Sequence, residues 1–219
     1  MHLFQSLVES NREKAAWAQS NITESDEHFS TRIVASALYM SIFSSALEAM
    51  LLHFANAEEK TVTNGKASYS STFKSALPGL LKSLIKVHHD KMHNVEFCRT
   101  ISKRMVNKPV PETIKSMTLQ AINAEKRMIV DFMELASQSL SINGKQMNPV
   151  ELGAYVEYVA NSTLQSFGFQ PATSVTSNPL PWVSALIDKE KSKGPVKKAQ
   201  AVKPAMSQQN LTFTLDEDF

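Results

Sequence analysis

"IVASALYMSIFSSALEAMLLHFANA", residues Ile33–Ala57, is the longest apolar run in the chain, and its reading decides the fold. It is long enough to raise a transmembrane span, since about 20 apolar residues cross a bilayer. It also carries Glu48 and His53 and is rich in Ser and Ala, which suits a helix apolar on all sides because it is buried inside a helical protein. No membrane is expected, and a buried central helix predicts others packed around it.

Working outward, helical spacing continues almost everywhere, and period-two runs and hairpin dipeptides are few. The reading is an all-α chain. A short helix is predicted over Leu3–Asn21, then a polar connector "TESDE", then one long buried helix over Phe29–Lys60. "TVTNGKASYSST" (Thr61–Thr72) reads as a loop. Pro78 and Gly79 open a helix that runs to Asn107 and stops at "KPVPE", where two prolines cannot continue it. A fourth helix follows over Glu112–Leu140. "MNPVEL" is a complete start signal, with Asn148 as N-cap, Pro149 at the first helical position and Glu151 three residues after the cap. The fifth helix ends near Gly168, and "SNPLPW" turns the chain into a last short helix.

With 219 residues, 42% of them hydrophobic, the chain can bury one good core. A formal net charge of +2 is too small to argue for nucleic acid, and neither a zinc pattern nor a glycine-rich phosphate loop is present. The single Cys98 cannot form an internal disulfide, and the start "MHLFQSLVESNREK" lacks the features of a secretory signal. A cytoplasmic location is expected.

The last residues, "FTLDEDF" (Phe213–Phe219), place two aromatics and a Leu around three acids, after a Pro-, Lys- and Gln-rich stretch with little to bury. The organisation expected is a helical domain over 1–193, a flexible tether over 194–212 and a docking peptide over 213–219. A solubilising end needs acids but gains nothing from exposed Phe213, Leu215 and Phe219. Those side chains suit apolar pockets in a partner, while Asp216, Glu217, Asp218 and the terminal carboxylate suit a basic groove.

Several stretches together resemble the small, radical-generating subunit of class I ribonucleotide reductase. The family ends in a peptide of the form "FTLDADF" that docks the large catalytic subunit. The rest follows in the family's order: "KAAWA" (Lys14–Ala18), "RIVASA" (Arg32–Ala37), "LPGL" (Leu77–Leu80), "NKP" (Asn107–Pro109), "AYVEYVANSTLQSFGF" (Ala154–Phe169) and "NPLPW" (Asn178–Trp182). The resemblance implies a ferritin-like helical bundle lacking its N-terminal part and covering about the C-terminal two-thirds of a usual small subunit. It further implies that half of the family's metal site, and the radical-bearing Tyr, lie outside this chain.

The family holds di-iron or di-manganese through a Glu on one helix and a Glu-x-x-His on another, besides the missing half. Residues three apart share a helix face, so such a pair can reach one metal cluster. Aligned without gaps between "LPGL" and "NKP", the chain reads "HDKMHN": Lys91 stands at the Glu position and Asn94 at the His position, with Asp90 matching the family Asp. On the preceding helix Met40 stands where the family has its bridging Glu. A Lys brings the wrong sign of charge to a cation site and a thioether suits iron or manganese poorly. No cofactor and no catalytic residue are therefore expected. A slip of one residue would instead offer Asp90 and His93 as a pair, with Glu48 as an alternative carboxylate. The radical relay of family tails needs a Tyr, and no Tyr or Trp occurs from Leu186 to Phe219. Tyr155, Tyr158, Trp17 and Trp182 read as packing residues.

Two functions follow. One is a radical-incompetent binding or regulatory subunit that docks the large subunit through its tail. The other is the C-terminal fragment of a split, active small subunit, completed by a separate N-terminal chain. Loss of bundle helices would uncover apolar faces of the central helices, so a partner is expected: the large subunit, an intact small subunit, a homodimer mate or an N-terminal fragment.

Overall fold

The computed structural model describes residues 2–55, 62–63, 66–67, 78–136, 141–142 and 145–192. Among these, helix α1 (His2–Ala18) runs into a π-helical turn (Gln19–Thr23), followed by α2 (Phe29–Ile42), α3 (Ser45–Ala55), α4 (Pro78–Arg104), α5 (Pro111–Ala136), α6 (Pro149–Ser166) and α7 (Pro181–Ser192). Two antiparallel hairpins of two-residue strands lie between helices: β1 (Val62–Thr63) with β2 (Lys66–Ala67), and β3 (Ser141–Ile142) with β4 (Lys145–Gln146). Each brackets an Asn-Gly dipeptide, the strongest short hairpin signal, so the first lies where a plain loop is expected.

Helix α2 is the centre, packed against α4, α5 and α6, while α1 lies along α5 and α3 rests on α4 and α6. Val34, Ala35, Ala37, Leu38 and Ile42 of α2 are fully or almost fully buried, so the helix has neighbours on nearly every side. This is the physical reason for its unbroken hydrophobicity. The Phe29–His53 stretch is apolar enough to cross a membrane, yet 61% of its most apolar window is buried inside the bundle.

One expectation fails here. The apolar run is not a single helix over Phe29–Lys60 but two, because Phe43 is extended (φ −68°, ψ 131°) and Ser44 takes a left-handed φ of 76°. Such a φ is unfavourable for a residue with a Cβ, by roughly 1–2 kcal/mol. Two contacts hold the break. Phe43 turns inward to pack edge-on against Trp17 and Tyr39, with ring centroids 5.3 and 5.2 Å away. The new helix start at Ser45–Ala46 receives a buried carboxylate from Glu125, whose Oε1 accepts from the Ala46 N–H at 3.3 Å.

Elsewhere the start signals act as read. Asn148 caps α6 by accepting from the Val150 N–H at 2.9 Å, with Pro149 at the first helical position. Helix α4 ends on Lys103 and Arg104, cations suited to a helix C-terminus. Trp17 is a core anchor whose Nε1 donates to the Met117 carbonyl at 3.2 Å. Asn161 of α6 ties down the following loop: its Nδ2 donates to the Thr173 and Val175 carbonyls and its Oδ1 accepts from the Ala172 N–H. The tether and the peptide Phe213–Phe219 lie outside the described residues.

Candidate functional site

The place where the ligand positions fall is built by three elements: the end of α2, the first turn of α3 and the middle of α4. Helix α4 is continuous through Pro78–Arg104. His88 and Lys91, three residues apart, present one face to Glu48 in the first turn of α3. Glu48 is gripped at both oxygens. His88 Nδ1 stands 2.8 Å from Oε1, and Lys91 Nζ donates to Oε2 at 2.9 Å and to Ser44 Oγ at 3.2 Å. An ionised carboxylate only accepts, so His88 carries its proton on Nδ1 in this arrangement.

The cluster is mostly withdrawn from water, with the side chain of Glu48 at 12% exposure and that of Lys91 at 20%. Burial pushes the Glu48 carboxyl up, but the hydrogen bond from His88 and the positive charges beside it outweigh burial, and its pKa lies below the ordinary 4.5. Tyr155 is held far on the other side: burial first, then the Glu48 charge, then Tyr158 keep its phenol protonated. Cys98 is likewise pushed up by burial.

Met40 is half-buried and packs against the small apolar cluster of Ala37, Val95 and Cys98. It also lines, with Lys91, Tyr39, Phe43, Lys14 and Met128, a cleft of about 510 Å³. Asn94 is exposed. The slipped set is not brought together: Asp90 and His93 are both exposed, while Glu48 is bonded to His88 and Lys91 instead. The donor set does not fit a di-metal centre. An ammonium already occupies the carboxylate that a metal would need, and a thioether faces the same cleft. Among the described residues no group of three or more His, Cys, Asp and Glu could hold a metal ion.

A second buried ion pair, missed in the sequence, stands on the other side of the Phe43–Ser44 break. Glu125 of α5 has a fully buried side chain, and Lys14 Nζ stands 2.6 Å from its Oε2, an ion contact by distance whose angles do not make it a hydrogen bond. Lys14 Nζ also lies 5.7 Å from the centroid of the Phe43 ring. The signal was present: Glu125 falls in phase with Ile114, Thr118, Ala121 and Ile129, all of them buried, so an acid stands on the core face of α5. Trp17 and Tyr155 are buried and Trp182 and Tyr158 pack at the core margin, in keeping with packing roles.

The all-α bundle packed around α2 is of the ferritin-like helical class, and a solved structure agrees. The structure of the Rnr4 homodimer of Saccharomyces cerevisiae superposes with a TM-score of 0.58 at 22% identity, covering 83% of this chain and 51% of that one. The ribonucleotide reductase small chain family matches residues 66–179, just over half of the sequence, and the chain belongs to that family. Relatives include ribonucleoside-diphosphate reductase small chain 1 of S. cerevisiae, 27% identical over 94% of this chain and 47% of its own length. Subunit M2 of Danio rerio is 25% identical over 95% of this chain and 48% of its own length. The small chain of Vaccinia virus (strain Ankara) is 25% identical over 95% of this chain and 58% of its own length. The chain thus spans about half the length of the curated relatives it matches, less than the two-thirds expected from the motifs.

Proposed function

We propose that this chain is a radical-incompetent, binding or regulatory subunit of a ribonucleotide reductase, acting in deoxyribonucleotide synthesis without a di-metal cofactor of its own. The observation that carries this reading is the Lys91 ammonium on the Glu48 carboxylate, at a position where the family places an acidic ligand, with Met40 beside the same cleft. A cation fixed by the chain disfavours a second cation in that place. Family membership supports the large subunit as partner, with Phe213, Leu215 and Phe219 as apolar anchors and Asp216, Glu217 and Asp218 as the charged rim. A homodimer mate or an intact small subunit is the second partner proposed, and the homodimer named for the structural relative favours the former.

A second reading is favoured by length. A chain half as long as its relatives could be one piece of a split, active small subunit, completed by an N-terminal polypeptide. That piece would need its ligands, and Met40, Lys91 and Asn94 weigh against it. An assay of deoxynucleotide formation with the large subunit and a separate N-terminal small-subunit fragment separates the two. The binding reading expects no turnover there, whereas the split reading expects it; with a large subunit alone the binding reading likewise expects none. A synthetic Phe213–Phe219 peptide should displace the chain from the large subunit. Turnover in the two-component mixture would refute the proposal, and undiminished binding after deletion of the heptapeptide would refute the docking role.

A further inference from the structure

We infer that the heptapeptide Phe213–Phe219 has a docking face on its own chain, the solvent side of α4 formed by Lys82, Lys86, His89, His93 and Phe97, where it is held back from other partners.

These five residues follow one another at intervals of four, three, four and four, so they form one stripe along the helix. His89 is half-buried and the others are exposed, Phe97 with 65% of its surface in water. An exposed aromatic in line with basic side chains complements a peptide that sets two Phe and a Leu around three acids. Neither Lys82 nor Lys86 has a carboxylate partner among the described residues. Asp90 stands exposed at the margin of the stripe and Glu96 is bound to Arg99, so the two lysines outnumber the free acid. The cleft beside Met40 suits the peptide less, because both of its ammoniums, Lys14 and Lys91, already face Glu125 and Glu48.

The lengths also match. At about 1.5 Å per residue, His89, Lys86 and Lys82 stand roughly 12, 16 and 22 Å along α4 from Phe97. In an extended peptide, at about 3.3 Å per residue, Asp216, Glu217 and Asp218 stand roughly 10, 13 and 17 Å from Phe213. With Phe213 on Phe97, the acids fall against His89 and Lys86, and Val87, 54% exposed beside Lys86, offers an apolar contact near the other end. The chain can reach this face. Helix α7, the last described element, packs on α4, and the 20 residues 193–212 separate its end at Ser192 from Phe213. They span at most about 70 Å, against about 40 Å for the whole of α4. A segment tethered over that distance is present at an effective concentration of about 1 mM, so contacts too weak to join separate molecules suffice.

Zero-length carbodiimide cross-linking of the full chain tests the inference, because it joins only a carboxylate and an amine already in contact. An equal mixture of ordinary and isotope-labelled chains is treated, digested and read by mass spectrometry, with the exposed Lys115 of α5 as reference amine. Asp216, Glu217 or Asp218 should be joined to Lys82 or Lys86 at least about fivefold more than to Lys115, within chains of one isotope. F97A removes an exposed ring and should lower that yield about threefold or more. Links spread evenly over the three lysines, no links at all, or a yield indifferent to F97A would overturn the inference. Links that mix isotopes would overturn it too, by making a second copy the occupant. No large subunit is present, so these outcomes leave the docking reading above untouched.

Discussion

Removing the Lys14 ammonium should be among the most damaging single changes in the chain, although Lys14 lies on the first helix and its loss opens no large cavity. The side chain of Glu125 is fully buried and that of Lys14 is 12% exposed, at 2.6 Å. In K14M the stem still packs near Phe43, but the Glu125 carboxylate loses its counter-ion and, among the described residues, keeps the 3.3 Å bond from the Ala46 N–H. Leaving one member of a buried pair uncompensated costs about 3–5 kcal/mol. At about 2–4 °C per kcal/mol for a chain of this size, the melting temperature should fall by about 6–20 °C. E125Q removes the charge yet keeps an oxygen for Ala46, and should cost less, about 1–3 kcal/mol. With both changes the losses should not add, leaving a coupling of about 2 kcal/mol in a double-mutant cycle. Urea unfolding of the four proteins, followed by far-UV circular dichroism, measures it. K14M within about 0.5 kcal/mol of the wild type, or losses that simply add, would refute the assignment of Glu125–Lys14 as the clamp on the α2–α3 break.

Acid should expose the Glu48 cluster. Its folded pKa lies below the ordinary 4.5, so its contribution is complete above that value and is lost as pH falls through the folded pKa. The gap in melting temperature between wild type and E48Q should therefore narrow below pH 4.5, and a gap that widens in acid would contradict the sign. Asn161→Ala should free the loop after α6, since it cuts the bonds to Ala172, Thr173 and Val175, with a loss of about 2–3 kcal/mol and faster amide exchange at Ala172 and Thr173. Unchanged exchange there would mean that Asn161 does not hold the loop.

The helices were legible because their signals are local. Pro78, Pro149 and the Asn148 cap mark starts, and "KPVPE" marks a stop, with each effect confined to one turn of chain. The α2–α3 break was not legible. No Gly or Pro stands at Phe43–Ser44, and what holds the break is the packing of Phe43 on Trp17 and Tyr39 together with a carboxylate from α5 that accepts from Ala46, 79 positions away in sequence. Tertiary contacts overrode propensity there. At the site, the residue types at the ligand positions were visible in the sequence, whereas the partner of Lys91 was not. As a ligand, Glu48 is offered by the sequence only as a slipped-register alternative with Asp90 and His93, because spacing along one helix does not say which acid of another helix it will face. The phase of α5 did contain the clue to Glu125, an acid in line with Ile114 and Ile129.

The central claim is that this family member carries no radical-generating centre, and metal content with electron paramagnetic resonance tests it most directly. The chain would be loaded anaerobically with iron(II), exposed to oxygen, freed of loose metal by chelator and then measured. The account predicts metal far below one equivalent per chain and no tyrosyl radical signal. Two equivalents of retained metal with a tyrosyl radical would contradict it, because an ammonium at Lys91 and a thioether at Met40 cannot hold that cluster.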